Sequence, residues 1–377
     1  MRLDTKVLRY MAVSEGSSGL ERIMPTTAGQ LMVATRHRCG MGCTDVYIDR
    51  YLGGLRDMTY TRIAFNTSPA DPVGGQFAPT TTGYILNRNG SSVVGFNSAS
   101  NVWNLTTIAA DGASRTAVPL AGAYRLLGRL SDGRVVAQHV VSPIASGDVV
   151  LLASDGSVDP SFAPVHPGAW VQPASVAIAG TTIWITWTIP GATTAHVVRR
   201  STIDDTGVNT TVRLPQATGQ TRAITGVQHI AAGASHATLV LNARITTSTG
   251  SSSTTALLGI DSTGRVNSSF GSHGAVMVAG NDVVAARQRD GKTVVGAWVL
   301  GRPIEPSGRK HVIVVVRRLT TRGALDATFP IRRIITPGLG VSGMDLKLTR
   351  LGKTMIGLGI ERTNGSGALL MMRLRAK

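Results

Sequence analysis

The fold is decided by one stretch that the chain repeats: Asp155-Gly156-Ser157-Val158-Asp159-Pro160-Ser161-Phe162 returns as Thr263-Gly264-Arg265-Val266-Asn267-Ser268-Ser269-Phe270 and as Arg322-Gly323-Ala324-Leu325-Asp326-Ala327-Thr328-Phe329. The shared pattern is a glycine, two residues, Asp or Asn, one residue, Ser or Thr, and an aromatic residue. Residues 54–60 are another copy, and 205–212 are a copy with one residue deleted. The glycines at 54, 112, 156, 207, 264 and 323 stand 44 to 59 residues apart. Such a period predicts a series of similar structural units.

A second motif recurs between these copies. Asp132-Gly133-Arg134, Asp290-Gly291-Lys292 and Leu351-Gly352-Lys353 each precede a short apolar run, and weaker copies lie near Gly29, Gly90, Gly180 and Gly233. Asp-Gly and Asn-Gly supply the positive φ angles that tight hairpin turns require. The motif therefore predicts seven β-hairpins.

The two chain ends complete one further copy. Residues 372–377 match the sequence that precedes Gly323, and residues 2–7 match the sequence that follows it. A strand near Thr5 to Val13 is therefore expected to pair with the last strands and close the ring. We expect an all-β, seven-bladed β-propeller of four-stranded blades, with residues 1–377 as a single domain and the last blade closed by the N-terminal strand. Because no window has a sustained helical period, almost no helix is expected.

The paired motifs, Asp-Gly-Lys before an apolar strand and then Arg-Leu-x-x-x-Gly-x-Leu-Asp-x-Ser/Thr-Phe, resemble the bacterial delta-sixty repeat of propeller-like proteins. The resemblance covers nearly the whole chain and is best over residues 255–377. It implies a β-propeller and a broad class of extracytoplasmic or large surface proteins, without a characterised active site. The repeat residues of that family correspond here to the following positions: Asp159, Asn267, Asp326, Arg318 and Arg373.

Segments that target a chain to membranes are not evident in the sequence. There is no apolar run of eighteen residues, so no membrane span is expected. The N-terminus lacks the pattern of a signal peptide. We nevertheless expect an extracytoplasmic location, in the envelope or secreted, from the resemblance.

The chain is strongly basic, with 38 Lys and Arg against 21 Asp and Glu and a formal net charge of +17. Residues 287–377 contribute 18 basic and 5 acidic residues, so most of the excess lies in the last quarter. Three interpretations stay open: a solvated or structural basic face, a surface for an anionic polymer, and a surface for nucleic acid. The low aromatic content, 5%, disfavours nucleic acid. Five residues beside turns or in a polar loop are the predicted contacts of an anionic polymer: Arg289, Lys292, Arg302, Arg309 and Lys310.

The two cysteines, Cys39 and Cys43, lie on either side of Gly40-Met41-Gly42, between two apolar runs. A disulfide across this loop, two free thiols, and a metal site that uses His37 are the alternatives. Zinc requires four ligands and only three candidates are near, so no metal site is predicted. No cofactor is predicted either.

Catalytic motifs are weak in this sequence. Gly233-Ala234-Ser235-His236-Ala237 resembles a nucleophile elbow, but it leads into a strand rather than a helix. The recurring Asp and Asn residues of the first motif are expected to brace turns by accepting backbone hydrogen bonds. No catalytic residue is predicted.

The composition and motifs favour a non-enzymatic binding or scaffold propeller with a protein or an anionic polymer as its partner, and the resemblance implies that it belongs to a bacterial envelope or secreted assembly. The polar segments 65–80, 246–254 and 301–311 are expected to be loops that suit this role. The alternative is a hydrolase or lyase with its site at the central channel. A histidine with two carboxylates at the channel would favour the enzyme.

Overall fold

The computed structural model describes the following residues: 7–10, 18–38, 44–52, 55–66, 81–97, 102–142, 145–167, 175–189, 191–300, 311–329, 331–337, 340–348, 354–361 and 367–374. Within these ranges every regular element is a β-strand, as the absence of a helical period predicts. No helix that could cross a bilayer occurs in this part of the chain.

The chain divides into two compact units. The first comprises Met1–Ala123, Trp298–Val315 and Arg333–Lys377, and the second comprises Tyr124–Ala297 and Val316–Arg332. Each unit is described by itself below. A single domain over residues 1–377 stays a prediction.

Three antiparallel sheets lie in the first unit. The first consists of β2 (Ser18–Pro25), β3 (Leu31–Arg38) and β4 (Thr44–Leu52), with β5 (Leu55–Arg56) and β6 (Ile63–Asn66) both paired to β4. The second has the order β10-β9-β8-β7, formed by β7 (Thr81–Leu86), β8 (Ser92–Asn97), β9 (Trp103–Ile108) and β10 (Arg115–Pro119). The third has the order β1-β28-β27-β26, formed by β1 (Val7–Tyr10), β26 (Gly340–Leu348), β27 (Thr354–Glu361) and β28 (Gly367–Leu374).

The N-terminal strand closes the third of these sheets. Strand β1 pairs antiparallel with β28, from Val7 opposite Met372 to Tyr10 opposite Leu369. The prediction that the first strand completes the last sheet is confirmed. The described pairing covers Val7 to Tyr10, and the other positions of the expected strand, Thr5 to Val13, lie outside the described residues.

Three sheets lie wholly in the second unit, and each follows chain order. They are formed by β11 (Tyr124–Arg129), β12 (Val135–Ser142) and β13 (Ala145–Leu152); by β14 (Ser175–Ala179), β15 (Thr182–Thr188), β16 (Ala195–Ser201) and β17 (Gly207–Val212); and by β18 (Thr221–Ala232), β19 (Ala237–Thr247), β20 (Gly250–Ile260) and β21 (Ala275–Val278). A further four-stranded sheet contains β22 (Asn281–Arg287), β23 (Thr293–Leu300), β24 (His311–Leu319) and β25 (Arg332–Pro337). The first strands β11, β14, β18 and β22 lie side by side.

The prediction of a seven-bladed propeller with four strands in every blade is wrong. Six sheets reach four or more strands and are complete blades, whereas the sheet β11–β13 has three. Where a fourth strand is expected beside β13, the described residues make two isolated bridges, Leu152 with Val158 at the turn and Val149 with Val165. Pro164 and Pro167 flank the second bridge. Because proline has no backbone N–H, Pro167, two residues after Val165, cannot donate the next hydrogen bond of this ladder.

Residues 246–254, expected as a loop, are also different. They form the exposed end of the hairpin β19–β20, with only Ser248 and Thr249 outside its two strands. Runs of Thr and Ser residues fit a pleated strand, and their small polar side chains are tolerated at a solvated edge. The other two predicted loops lie mostly outside the described residues.

Apolar residues on both faces of the central strands form the core. Trp184 and Trp187, three positions apart in β15, point to opposite faces. Trp184 packs in a cluster with Val197 and Leu239, and Trp187 packs in another with Leu151. Both tryptophans are buried, so the prediction that they pack between sheets is confirmed.

The repeated motif forms the turn before each outer strand. In Asp159 and Asn267, the side-chain Oδ1 accepts hydrogen bonds from both the N–H and the hydroxyl of the serine two residues later, at 2.7 to 3.1 Å. Asp326 accepts the same pair of bonds from Thr328. The prediction that these residues brace turns is confirmed.

Successive turns are also joined to each other. The N–H of Thr61 donates to the carbonyl of Asp111 at 3.0 Å, and the N–H of Gly271 donates to the carbonyl of Arg322. The next copy after Phe162, residues 205–212, has lost one residue. The N–H of Ala163, which is equivalent to that of Thr61 and Gly271, therefore donates to the side-chain Oδ2 of Asp205 at 3.1 Å. A side chain thus replaces the missing backbone acceptor.

Candidate anion-binding residues

Two of the five predicted contacts of an anionic polymer lie in the described part of the chain. Arg289 is exposed beside the turn between β22 and β23. Lys292 follows the same turn, but its Nζ lies 3.0 Å from Oδ2 of Asp326. Arg302, Arg309 and Lys310 lie outside the described residues, as do Cys39 and Cys43. The structure therefore places two of the five beside one turn, and of these Arg289 is exposed whereas Lys292 is ion-paired.

The ion pair of Lys292 connects the two repeated motifs. Arg134 occupies the equivalent place after Gly133, and its Nη1 donates to Oδ2 of Asp159 at 2.7 Å. In both sheets the cation that follows a hairpin glycine therefore neutralises the aspartate of a later turn. Both motifs can be recognised in the sequence, but only the folded sheet shows that one lies against the other. The sequence alone therefore predicts a ligand contact at Lys292, because it does not show the ion pair with Asp326.

Other arginines are neutralised in the same turns. Arg318 donates from Nε to Asp326 at 2.8 Å and lies 4.9 Å from the centre of the Phe329 ring. Arg50 makes the equivalent bond to Asp57 at 2.8 Å and lies over Tyr60. These guanidinium groups have carboxylate partners and little solvent access, so they stabilise turns and are poor ligand contacts.

Three partly buried arginines of the second unit combine two features: no described carboxylate contacts them, and desolvation lowers their pKa. Arg125 and Arg129 lie in β11, and Arg287 ends β22. Arg129 donates only to the carbonyl of Gly133 at 3.2 Å, and Arg287 only to the hydroxyl of Thr238 at 3.4 Å. Desolvation lowers the pKa of all three guanidinium groups below the ordinary value, and Asp290 opposes this effect at Arg287. Burial of a cation without a counterion is unfavourable.

The turn between β18 and β19, residues 233–236, lies close to two arginines. Arg199 donates from Nε to the carbonyl of Ala234 at 3.2 Å and lies over the Trp184 ring. Arg287 also approaches the turn, with its Cδ and Nε 3.4 Å from the position of a Cβ at Gly233. Nε1 of Trp184 donates to the Gly233 carbonyl at 2.9 Å and fixes the turn.

Two exposed polar side chains occupy this turn. Oγ of Ser235 and Nδ1 of His236 are 2.8 Å apart. Within the described residues no carboxylate lies within hydrogen-bonding distance of His236. A Ser and His pair without an orienting carboxylate falls short of a hydrolytic triad. The sequence prediction that this stretch is a hairpin and not a nucleophile elbow is confirmed.

A second polar cluster lies in the first unit. The hydroxyl of Tyr84 donates to Glu21 at 2.6 Å, and Glu21 also pairs with Arg36. Asp345 accepts the N–H of Ile23 at 2.9 Å. Burial is the main factor that raises the pKa of Tyr84, which favours the neutral phenol.

Metal coordination finds no support in the described ranges. No group of three His, Cys, Asp or Glu residues there could hold an ion. His166 contacts Asp148 at 2.7 Å, but both side chains are exposed.

The arrangement of antiparallel sheets defines the class of protein: an all-β β-propeller. The chain is similar to the β-propeller domain of the trilobed protease from Pyrococcus furiosus, with a TM-score of 0.51 and 9% identity over 94% of this chain and 93% of that one. It is also similar to an ulvan lyase of polysaccharide lyase family PL25, described as bound to -[GlcA(1-4)Rha3S]-, with a TM-score of 0.54 and 8% identity over 96% of this chain and 95% of that one. At this identity the likeness shows the fold alone. No family model and no curated protein matches the chain.

Proposed function

We propose that this β-propeller is a non-enzymatic binding module for an anionic polymer. The observation that supports this proposal is the group of partly buried guanidiniums at Arg125, Arg129 and Arg287, which have no carboxylate contact among the described residues. A bound sulfate, phosphate or carboxylate group would supply the missing countercharge, and the reduced hydration there would strengthen the interaction.

Local charge compensation separates these arginines from the cations beside the repeated turns. The cations beside the repeated turns already have aspartate partners, so they add little to the field outside the protein. Arg289 is exposed and adds to the attraction from solution. The long-range field from a net charge of +17 speeds encounter with any polyanion, whereas the uncompensated arginines provide contacts.

A place in a bacterial envelope or secreted assembly is part of the proposal and rests on the resemblance to the delta-sixty repeat. The alternative of a hydrolase or lyase gains little from the described residues. The carboxylate of Glu21 is already paired with Arg36, and the raised pKa of Tyr84 favours its neutral phenol. No described histidine lies against two carboxylates, which is the arrangement that would have favoured an enzyme.

The test measures affinity for polyphosphate, a teichoic-type polymer and DNA at two ionic strengths. The parent protein and a triple variant, Arg125→Gln, Arg129→Gln and Arg287→Gln, are compared. We expect the triple variant to bind more weakly and with a smaller salt dependence, because each lost phosphate contact reduces the slope of log affinity against log salt, by about 0.9 for duplex DNA. If the parent protein binds none of the three polymers at low salt, the proposal is refuted.

A further inference from the structure

The turn at residues 233–236 brings hydrogen-bond donors from three neighbouring sheets of the second unit to one place. Arg199 comes from the sheet β14–β17, Ser235 and His236 from the turn itself, and Arg287 from the strand β22. Both arginines lie close to the turn, with Nε of Arg199 3.2 Å from the Ala234 carbonyl oxygen and Nε of Arg287 3.4 Å from the Cβ position of Gly233.

Each arginine retains unused donors. Nε of Arg199 donates to a neutral backbone carbonyl, and no described carboxylate contacts its two Nη groups. Arg287 uses one Nη for a long contact of 3.4 Å to the Thr238 hydroxyl. Since a guanidinium has five N–H donors, most donors of this pair lack a strong acceptor.

The turn is held rigid, which favours binding without a large ordering cost. The N–H of Gly233 donates to the carbonyl of His236 at 2.8 Å, and the buried Trp184 anchors Gly233 from the other side. Ser235 is exposed and His236 partly exposed, so both polar groups are accessible to a ligand.

We propose that Arg199, Ser235, His236 and Arg287 form a subsite for one tetrahedral oxyanion, a phosphate or sulfate group carried by the polymer. The subsite rests on the proposed function and names the group that the polymer presents. Donors that come from three sheets match the three peripheral oxygens of a phosphate or sulfate ester, whereas a planar carboxylate presents two. The Ser235 hydroxyl turns from Nδ1 toward the anion, and His236 then donates from a ring N–H.

The charged groups around His236 are compatible with this subsite. Arg199 and Arg287 lie close to the turn, and Asp261 acts on the imidazole through space. The Asp261 carboxylate is itself occupied, because Oδ1 accepts three hydrogen bonds from Thr263 and Arg265 at 2.7 to 3.1 Å. No hydrogen bond or ion pair among the described residues joins Asp261 to either arginine.

The experiment titrates the protein with inorganic phosphate, sulfate and acetate at low ionic strength and follows the imidazole ring resonances of His236 by NMR. We expect saturable shifts with phosphate and sulfate and weak, unsaturated shifts with acetate. The His166 ring is the internal control, since its Nδ1 already lies 2.7 Å from Oδ1 of Asp148. Equal saturation by acetate would overturn the tetrahedral assignment.

Variants test the individual donors. Ser235→Ala removes one exposed hydroxyl, and Arg199→Gln or Arg287→Gln removes one charge. We expect affinity for phosphate to fall about tenfold or more in each arginine variant, as for loss of one charge-assisted hydrogen bond, and less in Ser235→Ala. Arg213→Gln, at an exposed position just beyond β17, is the control of equal charge. An equal loss in Arg213→Gln would overturn the subsite.

The two proposals fail in different ways. If the parent protein binds polymers while phosphate and sulfate leave the His236 resonances unchanged, the subsite is wrong and the binding function stands. If phosphate saturates His236 while the parent binds no polymer, the binding function is wrong and the turn is a site for a small oxyanion.

Discussion

At residue 326 a single carboxylate makes four contacts. Asp326 accepts hydrogen bonds from the N–H and hydroxyl of Thr328, binds Nε of Arg318, and lies 3.0 Å from Nζ of Lys292. Asn267 holds the equivalent turn in another sheet with the two turn bonds alone. The chain therefore contains a natural comparison between a turn with an ion pair and a turn without one.

The first prediction uses this comparison. Asp326→Asn retains an acceptor for Thr328 but leaves Arg318, whose side chain is 11% exposed, without its anion. We expect the free energy of unfolding to fall by about 3 kcal/mol, as for a broken buried pair. Asn267→Ala loses only turn bonds and should cost about 1 kcal/mol. Urea denaturation measures both, and an equal cost in the two variants would contradict the structural role of the ion pair.

The pH dependence of the same variant is the second prediction. Hydrogen bonds from Thr328 and Lys292 are the main factors that lower the pKa of Asp326 below its ordinary value. A lowered pKa in the folded state contributes stability above the unfolded pKa, about 4, and that contribution is lost as the pH falls toward the folded pKa. The stability difference between the parent and Asp326→Asn should therefore be largest near neutral pH and shrink below about pH 4. A constant difference from neutral to acidic pH in denaturation curves would argue against the ion pair.

At the scale of elements, the turns determine how one sheet meets the next. Gly323 has φ +73°, and a Cβ there would lie 2.6 Å from the backbone nitrogen of Gly271 in the neighbouring turn. Gly29 has a similar φ of +81° with open space around it. The cost of the positive φ angle and the cost of the close contact between the two turns can therefore be separated experimentally.

The third prediction compares alanine at the two glycines. Gly29→Ala should cost about 1 kcal/mol of stability, the penalty of a left-handed conformation for a residue with a Cβ. Gly323→Ala should cost clearly more, because the backbone of Gly271 must also move. Thermal melting of the two variants gives the comparison. If Gly323→Ala melts no lower than Gly29→Ala, the contact between the turns contributes nothing.

The fourth prediction concerns the strand β1. Deletion of residues 1–13 removes the partner of β28 and leaves an unpaired edge, so we expect aggregation or loss of cooperative melting. Deletion of residues 1–5 keeps Val7–Tyr10 and is the control. Light scattering and calorimetry follow the outcome. An unchanged melt of the longer deletion would show that β1 does not contribute to closure.

Turn chemistry is the part of the fold that sequence predicts best. The Asp-Gly hairpins and the Asp or Asn braces follow from local bonding, and the split motif at the termini predicts the pairing of β1 with β28. The three-stranded sheet cannot be deduced from the repeat, since the motif around Asp159 is complete. Only the position of Pro167, two residues after Val165, shows that the outer ladder stops.

The candidate site is harder to predict for a related reason. Lys292 stands beside a turn, where sequence favours a side chain that reaches solvent, yet the fold returns Asp326 to it. Arg125 and Arg129 lie outside the most basic segment of the sequence, so net charge along the chain does not indicate them. Which cations have a countercharge depends on tertiary contacts that composition does not contain.

At the scale of the whole molecule, charge acts through its total and through its placement. Any polyanion is attracted by a net charge of +17, and that attraction is screened by salt. Contacts at uncompensated guanidiniums depend on position instead. Two variants with the same total charge and different positions distinguish the two contributions.

The last prediction compares two triple variants that both reduce the formal net charge from +17 to +14. One neutralises Arg125, Arg129 and Arg287, and the other neutralises three arginines at exposed positions: Arg213, Arg244 and Arg322. Both should associate with polyphosphate somewhat more slowly at low salt, since association responds to the long-range field. Only the first should also dissociate faster, because it has lost contacts in the complex. Rate constants from stopped-flow or surface binding at two ionic strengths decide between them, and equal dissociation rates would mean that the total charge alone accounts for binding.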